Sequence, residues 1–262
     1  MNLELTGKHV LVTGGSRGIG LACARAFLRE GARVSLAGRT QAHLDAAAAQ
    51  LRAEGHAVGG YSADLCDAGA ALAMTDAAQA ALGPIDILVN SAGAARRTPF
   101  DELRPQTWQD AMQAKFFTYI NVIDPVIKGM GQRGAGAIVN IVGMGGKVAA
   151  PTHLAGGAAN AALMLATAGL AAAYGPHGVR VNAVNPALTL TDRMAEGLAA
   201  EARLQQRSAE DVLRDAQARM PLGRIAKPED IADAVVFLSS ARAGYISGAI
   251  ISMDGAAVPL VV

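Results

Sequence analysis

The segment His9-Val10-Leu11-Val12-Thr13-Gly14-Gly15-Ser16-Arg17-Gly18-Ile19-Gly20 decides the fold. A short apolar run, typical of a buried strand, leads into a glycine-rich turn and then into an apolar helical pattern. Glycines let the backbone of such a turn approach a pyrophosphate, and the N–H groups of the next helix face the same anion. A glycine-rich motif alone is weak evidence for nucleotide binding, but its position between a predicted strand and a predicted helix makes this one more specific. We therefore predict a dinucleotide site that uses Gly14, Ser16, Arg17, Gly18, Ile19 and Gly20.

Strands and helices alternate along the rest of the sequence. Further strands are predicted at 33–37, 58–63, 85–90, 137–142, 179–184 and 249–252, and helices after the glycine turn and at 42–54, 70–82, 105–130, 152–174 and 228–239. Near-continuous apolar strands separated by helices favour a parallel sheet covered on both faces. Right-handed crossovers then give a doubly wound, or Rossmann, sheet. We predict an α/β fold with a single domain over 1–262 and a mostly parallel sheet of seven strands.

The segment 188–222 interrupts this alternation between the sixth strand and the last helix. An insertion of this length next to a ligand crevice is typical of a lid. Its apolar residues Leu190, Met194 and Leu198 favour a mostly apolar substrate of medium or large size.

Composition excludes several classes of function. The net charge of +1 offers no attraction to nucleic acid or to an anionic membrane. Cys23 and Cys66 lack the spacing of a metal site or a disulfide, so we expect buried small side chains in a reducing compartment. The N-terminal residues lack the pattern of a secretory leader, and Pro151 and Asn160 interrupt the most apolar long stretch. We expect a cytoplasmic protein with no metal site, no nucleic acid partner and no membrane span.

Polar and small residues follow three further predicted strands. Asp64-Leu65 ends the third strand, Asn90-Ser91-Ala92-Gly93 ends the fourth, and Asn185-Pro186-Ala187 ends the sixth. Doubly wound sheets bind their ligands at these carboxyl ends. An acidic side chain at the third strand can face the amino group of an adenine. We therefore add Asp64, Leu65, Asn90, Ala92, Gly93, Pro186 and Ala187 to the predicted nucleotide site.

Taken together, these motifs resemble the short-chain dehydrogenase/reductase family over nearly the whole chain. The C-terminal motifs Pro221-Leu222-Gly223-Arg224, Pro228-Glu229-Asp230-Ile231 and Ile246-Ser247-Gly248 are also similar to that family. The resemblance implies a nicotinamide cofactor and a small-molecule substrate. It also implies a homodimer or homotetramer that forms through the helices at 105–131 and 152–174.

The end of the second strand bears on which nicotinamide cofactor binds. An NAD-binding member of the family would carry an aspartate there, whereas this sequence has Gly38 followed by Arg39. Arg17 points from the glycine turn toward the same corner, and two guanidinium groups without a carboxylate suit a 2′-phosphate. We predict NADP(H), with NAD(H) as the less favoured cofactor. The alternative is that both arginines are solvated surface charges.

The family's catalytic residues are not found at the aligned positions. The family typically uses an asparagine, a serine, and a tyrosine and lysine separated by three residues, with the tyrosine phenol as acid or base. Those four positions align with Lys115, Gly143, Gly156 and Asn160. The segment 141–173 contains neither tyrosine nor serine, so a shift of the alignment does not restore the set.

Three residues are candidates for a replacement site. Lys115 and Asn160 have exchanged the family's residue types, so Lys115 can place its ammonium near the vacated site and Asn160 can bind a ribose hydroxyl. His153 is the remaining candidate for a general acid, because imidazole titrates near neutrality. The glycines at the serine and tyrosine positions remove a hydroxyl and a phenol, which enlarges the pocket beside the cofactor. The adjacent Gly156 and Gly157 either leave room for a bulky ligand or allow close helix packing across a subunit boundary. A helix-capping or surface role is the alternative for His153.

Three functions remain open from the sequence. The first is an NADP(H)-dependent oxidoreductase with a replaced acid/base site, acting on a carbonyl or an alcohol. The second is a catalytically silent nucleotide-binding protein or partner subunit. The third is non-redox catalysis, such as elimination or hydrolysis, in an enlarged pocket.

Overall fold

The computed structural model describes residues 2–93, 95–192, 194–195, 198, 202 and 206–260. Seven strands form one sheet in the order β3-β2-β1-β4-β5-β6-β7, and every neighbouring pair is parallel. The strands are β1 (His9–Thr13), β2 (Arg33–Gly38), β3 (Val58–Ser62), β4 (Ile87–Asn90), β5 (Gly136–Ile141), β6 (Val179–Pro186) and β7 (Ile250–Met253). The described helices are α1 (Gly18–Arg29), α2 (Gln41–Ala53), α3 (Ala68–Leu82), α4 (Pro105–Ala111), α5 (Thr118–Arg133), α6 (Leu154–Tyr174), α7 (Ala209–Ala218) and α8 (Pro228–Ser239). The predicted α/β doubly wound fold is confirmed.

Hydrophobic packing covers both faces of the sheet. On one face, Phe27 of α1, Leu44 of α2 and Val235 of α8 belong to a single buried cluster with the strands. On the other face, Met74 of α3 and Leu163 of α6 pack in a second cluster. This arrangement explains why the strands are nearly continuous in apolar residues, since neither face of a parallel sheet meets water.

A chain of buried polar side chains links the central strands at their carboxyl ends. The Thr13 hydroxyl donates to Asn90 Oδ1 at 3.3 Å, and Asn90 Nδ2 donates to Asn140 Oδ1 at 3.1 Å. Asn140 Nδ2 then donates to the hydroxyl of Thr167 on α6 at 3.0 Å. Because a buried polar group is stable only when it is hydrogen-bonded, this chain fixes β1, β4, β5 and α6 relative to one another.

The predicted continuous helix at 105–130 differs in detail from the observed one. A π-helical segment, Met112–Phe117, lies between α4 and α5, and Pro125 lies inside α5. The sequence does not reveal the π-helical segment, because it inserts only one extra residue. The apolar residues before it and after it keep the spacing of an ordinary α-helix. Such segments are frequent at functional sites, and this one carries Lys115.

Part of the predicted lid at 188–222 lies outside the described residues, including 193, 196–197, 199–201 and 203–205. Its described part contains α7 and a short bridge between Thr189 and Ala226. Thr191 lies over the glycine turn, because a Cβ on Gly18 would be 3.3 Å from its methyl carbon.

One described helical stretch, Leu154–His177, has the length and hydropathy that a membrane-spanning helix requires. Core helices meet the same criterion, and α6 packs Leu163 and Ala171 against the sheet.

His9 is the first residue of β1, at the amino ends of the strands, and it makes the stability of the fold depend on pH. Its ring is buried, with Nδ1 2.7 Å from the Gly83 carbonyl and Nε2 2.9 Å from the Ser35 hydroxyl. Burial lowers the pKa of His9, and Arg33 acts in the same direction, although the Gly83 hydrogen bond and Asp86 oppose both. The folded ring therefore stays neutral at a pH where the unfolded ring is already protonated.

We expect the free energy of unfolding to fall as the pH drops below the ordinary histidine value of about 6.5, by up to about 1.4 kcal/mol per pH unit from this group. Urea unfolding of the wild type and His9→Gln between neutral and acidic pH measures the effect. The variant should have the shallower slope, and equal slopes would contradict the prediction.

Candidate functional site

A cleft of about 510 Å³ lies at the carboxyl ends of the central strands, where the strand order reverses between β1 and β4. That place and that volume are typical of a nucleotide site in a doubly wound sheet. Ten of the predicted nucleotide-site residues line it: Gly14, Ser16, Arg17, Gly18, Ile19, Arg39, Asp64, Leu65, Ala92 and Gly93.

Two glycines bring the backbone of this cleft into close contact. Gly14 has φ +65°, and a Cβ there would lie 2.8 Å from the Ser91 carbonyl oxygen. Gly93 has φ +85°, and a Cβ there would lie 2.7 Å from the Thr118 hydroxyl. A larger residue at Gly14 would separate β1 from the turn after β4. A larger residue at Gly93 would separate that turn from the π-helical segment and α5.

The start of α1 is open to an anion. Arg17 is its N-cap residue, its side chain makes no capping hydrogen bond, and the first turn contains no acidic residue. The free N–H groups and the positive end of the helix dipole therefore face the cleft, and the first turn itself adds no carboxylate that would compete with an anion. The cleft thus fits the diphosphate of a dinucleotide.

A second basic corner lies at the start of α2. Arg39 and Thr40 line the cleft together with Gly38 and His43. The sequence did not indicate Thr40 and His43 as cleft residues, because they follow β2 and belong to no glycine-rich motif. Their position at the N-cap and in the first turn of α2, directly after the end of β2, is the signal that identifies them.

Asp64 and Cys66 form the wall at the end of β3. The Asp64 carboxylate accepts a hydrogen bond from the Cys66 backbone N–H at 3.1 Å, which fixes the turn. Cys66 was expected to be buried, but it is only partly buried and lines the cleft. Desolvation raises the pKa of its thiol, and the Asp64 carboxylate acts in the same direction.

Five predicted nucleotide-site residues lie outside the wall of this cleft in the described structure: Gly20, Asn90, Asn160, Pro186 and Ala187. Gly20 packs against the Gly14 backbone, which joins α1 to the turn. Asn90 is fully buried and holds Thr13 and Asn140 beneath the cleft. The Ala187 N–H donates to the Met253 carbonyl at 3.1 Å. Gly20 and Asn90 therefore shape the site from behind its surface.

A second group of predicted residues meets at the start of α6. His153 is the N-cap residue, and its ring lies directly over Gly156: a Cβ on Gly156 would be 2.7 Å from both ring nitrogens. The neighbouring Gly145 would place a Cβ 3.4 Å from His153 Nε2 and 3.5 Å from Asn160 Nδ2. The imidazole and the Asn160 amide therefore face the same turn after β5.

The two glycines do not leave an empty pocket. The imidazole of His153 fills the space beside Gly156, and a Cβ on Gly157 would lie 2.6 Å from the Gly145 carbonyl oxygen. The enlargement expected at Gly156 is therefore wrong, and so is the alternative that Gly156 and Gly157 leave room for a bulky ligand. Their small size instead lets the imidazole and the turn after β5 pack directly on α6.

Lys115 reaches the same region from the long helix. Its side chain is buried, and its ammonium donates to the Tyr119 hydroxyl at 2.7 Å and to the Ile141 carbonyl at 3.0 Å. Tyr119 also donates to the Ile141 carbonyl, at 2.5 Å, and burial raises the pKa of its phenol. Lys115 therefore places a positive charge two residues before Gly143, the position that aligned with the family's serine.

Comparison with known proteins decides the family. The family described as "Enoyl-(Acyl carrier protein) reductase" matches residues 14–256. The chain belongs to the short-chain dehydrogenase/reductase family. It is 37% identical over 255 residues to D-threitol dehydrogenase of Mycolicibacterium smegmatis, covering 97% of this chain and 94% of that protein. It is 35% identical to gluconate 5-dehydrogenase of Gluconobacter oxydans, covering 96% and 95% of the two chains.

A solved structure of this family has nearly the same fold. L-sorbose reductase from Gluconobacter frateurii, complexed with NADPH and L-sorbose, superimposes with a TM-score of 0.94 at 28% identity, over 100% of both chains. Two of these three similar proteins are thus named dehydrogenases and the third is named a reductase.

Proposed function

We propose that the protein is an NADP(H)-dependent oxidoreductase that interconverts a carbonyl and an alcohol, with His153 as the proton donor and acceptor. Sugar alcohols and ketoses are the favoured substrate class, because the proteins similar to it include dehydrogenases and reductases of those compounds. The observation that carries the proposal is the imidazole that lies over Gly156, where the family's tyrosine aligns.

The usual four catalytic residues are replaced in this proposal by Lys115, Gly143, Gly156 and Asn160. A glycine has no group that can exchange a proton. His153 reaches the space beside Gly156 from one helical turn earlier. Imidazole is the side chain best suited to exchange a proton near neutral pH.

When bound, the nicotinamide supplies or accepts the hydride at the substrate carbon. In the reducing direction, protonated His153 gives its proton to the carbonyl oxygen as the alcohol forms, and in the oxidising direction the neutral ring takes that proton back. Asn160 holds a hydroxyl of the substrate or of the ribose through its amide.

Lys115 acts on the same site through its charge. Its ammonium is hydrogen-bonded to the end of β5 rather than directed into the cleft. A buried cation at that place favours a developing alkoxide near Gly143. The proposal also treats 1–262 as one domain in which 188–222 closes over the substrate.

The cofactor is proposed to be NADP(H) because Arg17 and Arg39 both line the cleft and β2 ends in Gly38 rather than in a carboxylate. Replacing Arg39 by glutamine should raise the Kd for NADPH roughly 10- to 150-fold, since a hydrogen bond to a charged group contributes about 1.5–3 kcal/mol. The Kd for NADH should stay nearly constant.

Isothermal titration of both nucleotides measures this difference. Arg52→Gln, at the far end of α2, is the matched control and should bind like the wild type. An equal loss for NADPH and NADH in Arg39→Gln would argue against a 2′-phosphate contact.

Oligomerisation through α6 is the proposed partner interaction. The exposed face of α6 is apolar, and Leu165 on it is 77% exposed. A two-fold axis would bring the same face of two copies together. Leu165→Glu should therefore weaken a dimer by more than about 100-fold, because like charges that meet in an interface cost several kcal/mol.

Light scattering after gel filtration measures the mass of the wild-type oligomer and of the Leu165→Glu variant. Leu72→Glu, on the exposed side of α3, should leave the oligomer intact. A wild type that is monomeric at all concentrations would overturn this part of the proposal.

A thermal shift series with NADPH, NADP⁺, NADH and NAD⁺, followed by a turnover screen with ketoses and sugar alcohols, tests the function. A ligand at one hundred times its Kd stabilises the fold by about 2.7 kcal/mol, or several degrees in Tm. We expect Tm to rise with NADPH and NADP⁺, which carry the 2′-phosphate, and we expect turnover of at least one substrate. Binding without turnover would support a catalytically silent nucleotide-binding protein instead.

A further inference from the structure

His43 is a cleft residue that no part of the proposed mechanism uses. It is the third residue of α2 and lines the cleft together with Arg39 and Thr40. Thr40 is the N-cap residue of α2, and its side chain makes no capping hydrogen bond. The corner of the cleft next to Gly38 therefore combines a fixed cation with an imidazole.

We propose that His43 is a pH-dependent ligand of the cofactor's 2′-phosphate, which makes the preference for NADP(H) over NAD(H) increase as the pH falls. The proposal rests on the proposed function, because it assumes that the adenosine half of the nucleotide occupies this cleft. Arg17 and Arg39 supply a charge that does not change with pH. The imidazole supplies a charge that appears only when the ring is protonated.

The charged surroundings of His43 come from each element that lines the cleft. Arg17 lies on the glycine turn, Arg39 at the end of β2, Asp64 and Cys66 after β3, and Asp192 after β6. On its own helix, Asp45 is paired with Gln41 Nε2 at 2.9 Å. A phosphate between Arg39 and His43 adds negative charge beside the ring at every pH in the physiological range, so binding and protonation of the ring favour each other.

The nucleotide without a 2′-phosphate lacks this linkage. Its ribose hydroxyls are neutral, so a protonated ring gains nothing from them beyond an ordinary hydrogen bond. The ratio of the affinity for NADP(H) to the affinity for NAD(H) therefore reports the charge of His43. Contacts with the rest of the nucleotide are the same for both cofactors and do not change this ratio.

Calorimetric titration with adenosine 2′,5′-bisphosphate tests the proposal without requiring turnover. The wild type, His43→Gln and His43→Arg are titrated between about pH 5.5 and pH 8.5. The 2′-phosphate itself loses a proton in this range. The ratio of the variant Kd to the wild-type Kd removes that effect because it is common to both proteins.

For His43→Gln we expect this ratio to be about 10 at the acidic end, as for the loss of a charged hydrogen bond, and to approach one at the alkaline end. For His43→Arg the variant should bind more tightly than the wild type at alkaline pH. His56→Gln, just beyond the other end of α2, is the matched control and should match the wild type throughout.

Two results would overturn the proposal. One is a His43→Gln ratio that does not change with pH, which would mean that the ring acts without its charge or not at all. The other is the same pH-dependent ratio with adenosine 5′-monophosphate, which would place the effect outside the 2′-phosphate. If the wild type binds neither the bisphosphate nor NADPH at any pH, the proposed function fails together with this inference.

Discussion

His153→Gln is expected to lower kcat for carbonyl reduction by about 10²- to 10⁴-fold, the usual contribution of a general acid. Glutamine keeps a hydrogen-bonding side chain at the start of α6 but cannot exchange a proton. The Kd for NADPH should be nearly unchanged, because His153 lies outside the nucleotide cleft in the described structure. Steady-state rates and a binding titration, made on the same protein samples, separate the two effects.

The matched control for this variant is His177→Gln. His177 is an exposed histidine in the short turn after the opposite end of α6. Its replacement should leave both kcat and the Kd for NADPH at wild-type values. A His153→Gln enzyme with full kcat would show that the proton comes from another group, and the proposed mechanism would be wrong.

Gly156→Ala is expected to lower kcat by about 10²-fold although it adds only one methyl group. The new Cβ would lie 2.7 Å from both ring nitrogens of His153, which is closer than real side chains approach. The imidazole must therefore move, and a displacement of about 1 Å at a reacting group is enough for such a loss. The free energy of unfolding should change by no more than about 1 kcal/mol, since alanine favours the helix.

The control for the added methyl group is Gly175→Ala. Gly175 follows α6 directly with helical φ and ψ of −53° and −46°, and a Cβ there would meet nothing within 4 Å. This variant should keep the wild-type rate. If Gly156→Ala were as active as Gly175→Ala, the position of the imidazole would not matter, which would contradict its catalytic role.

The fold and the nucleotide cleft could be predicted from the sequence because both depend on local patterns. The apolar run 9–12 followed by glycines predicts a strand and a phosphate-binding turn, whatever the rest of the chain does. The same holds for Asp64 and Gly93, which follow strands and line the cleft. Asn90 is the last residue of β4, but its side chain turns inward to Asn140, and the sequence does not distinguish a side chain that faces the cleft from one that faces the core.

The proposed catalytic region could be predicted only in part, because it depends on packing between distant segments. The sequence indicates that His153 and Asn160 share a helix and that Gly156 lacks a side chain. It does not reveal that the imidazole lies over Gly156, since that depends on the turn after β5 approaching α6 through Gly145 and Gly157. The hydrogen bond from Lys115 to Ile141 depends on the π segment, which leaves no clear pattern.

Deuterium transfer from C4-labelled NADPH tests the central claim most directly. The protein is incubated with NADPH deuterated on either face of C4 and with a panel of ketoses, keto sugar acids and other ketones, and the alcohols are analysed by mass spectrometry. The account predicts that at least one alcohol carries the label from one face only, and that His153→Gln forms it much more slowly. Tight NADPH binding with no labelled alcohol from any compound would contradict the account and favour a catalytically silent nucleotide-binding protein.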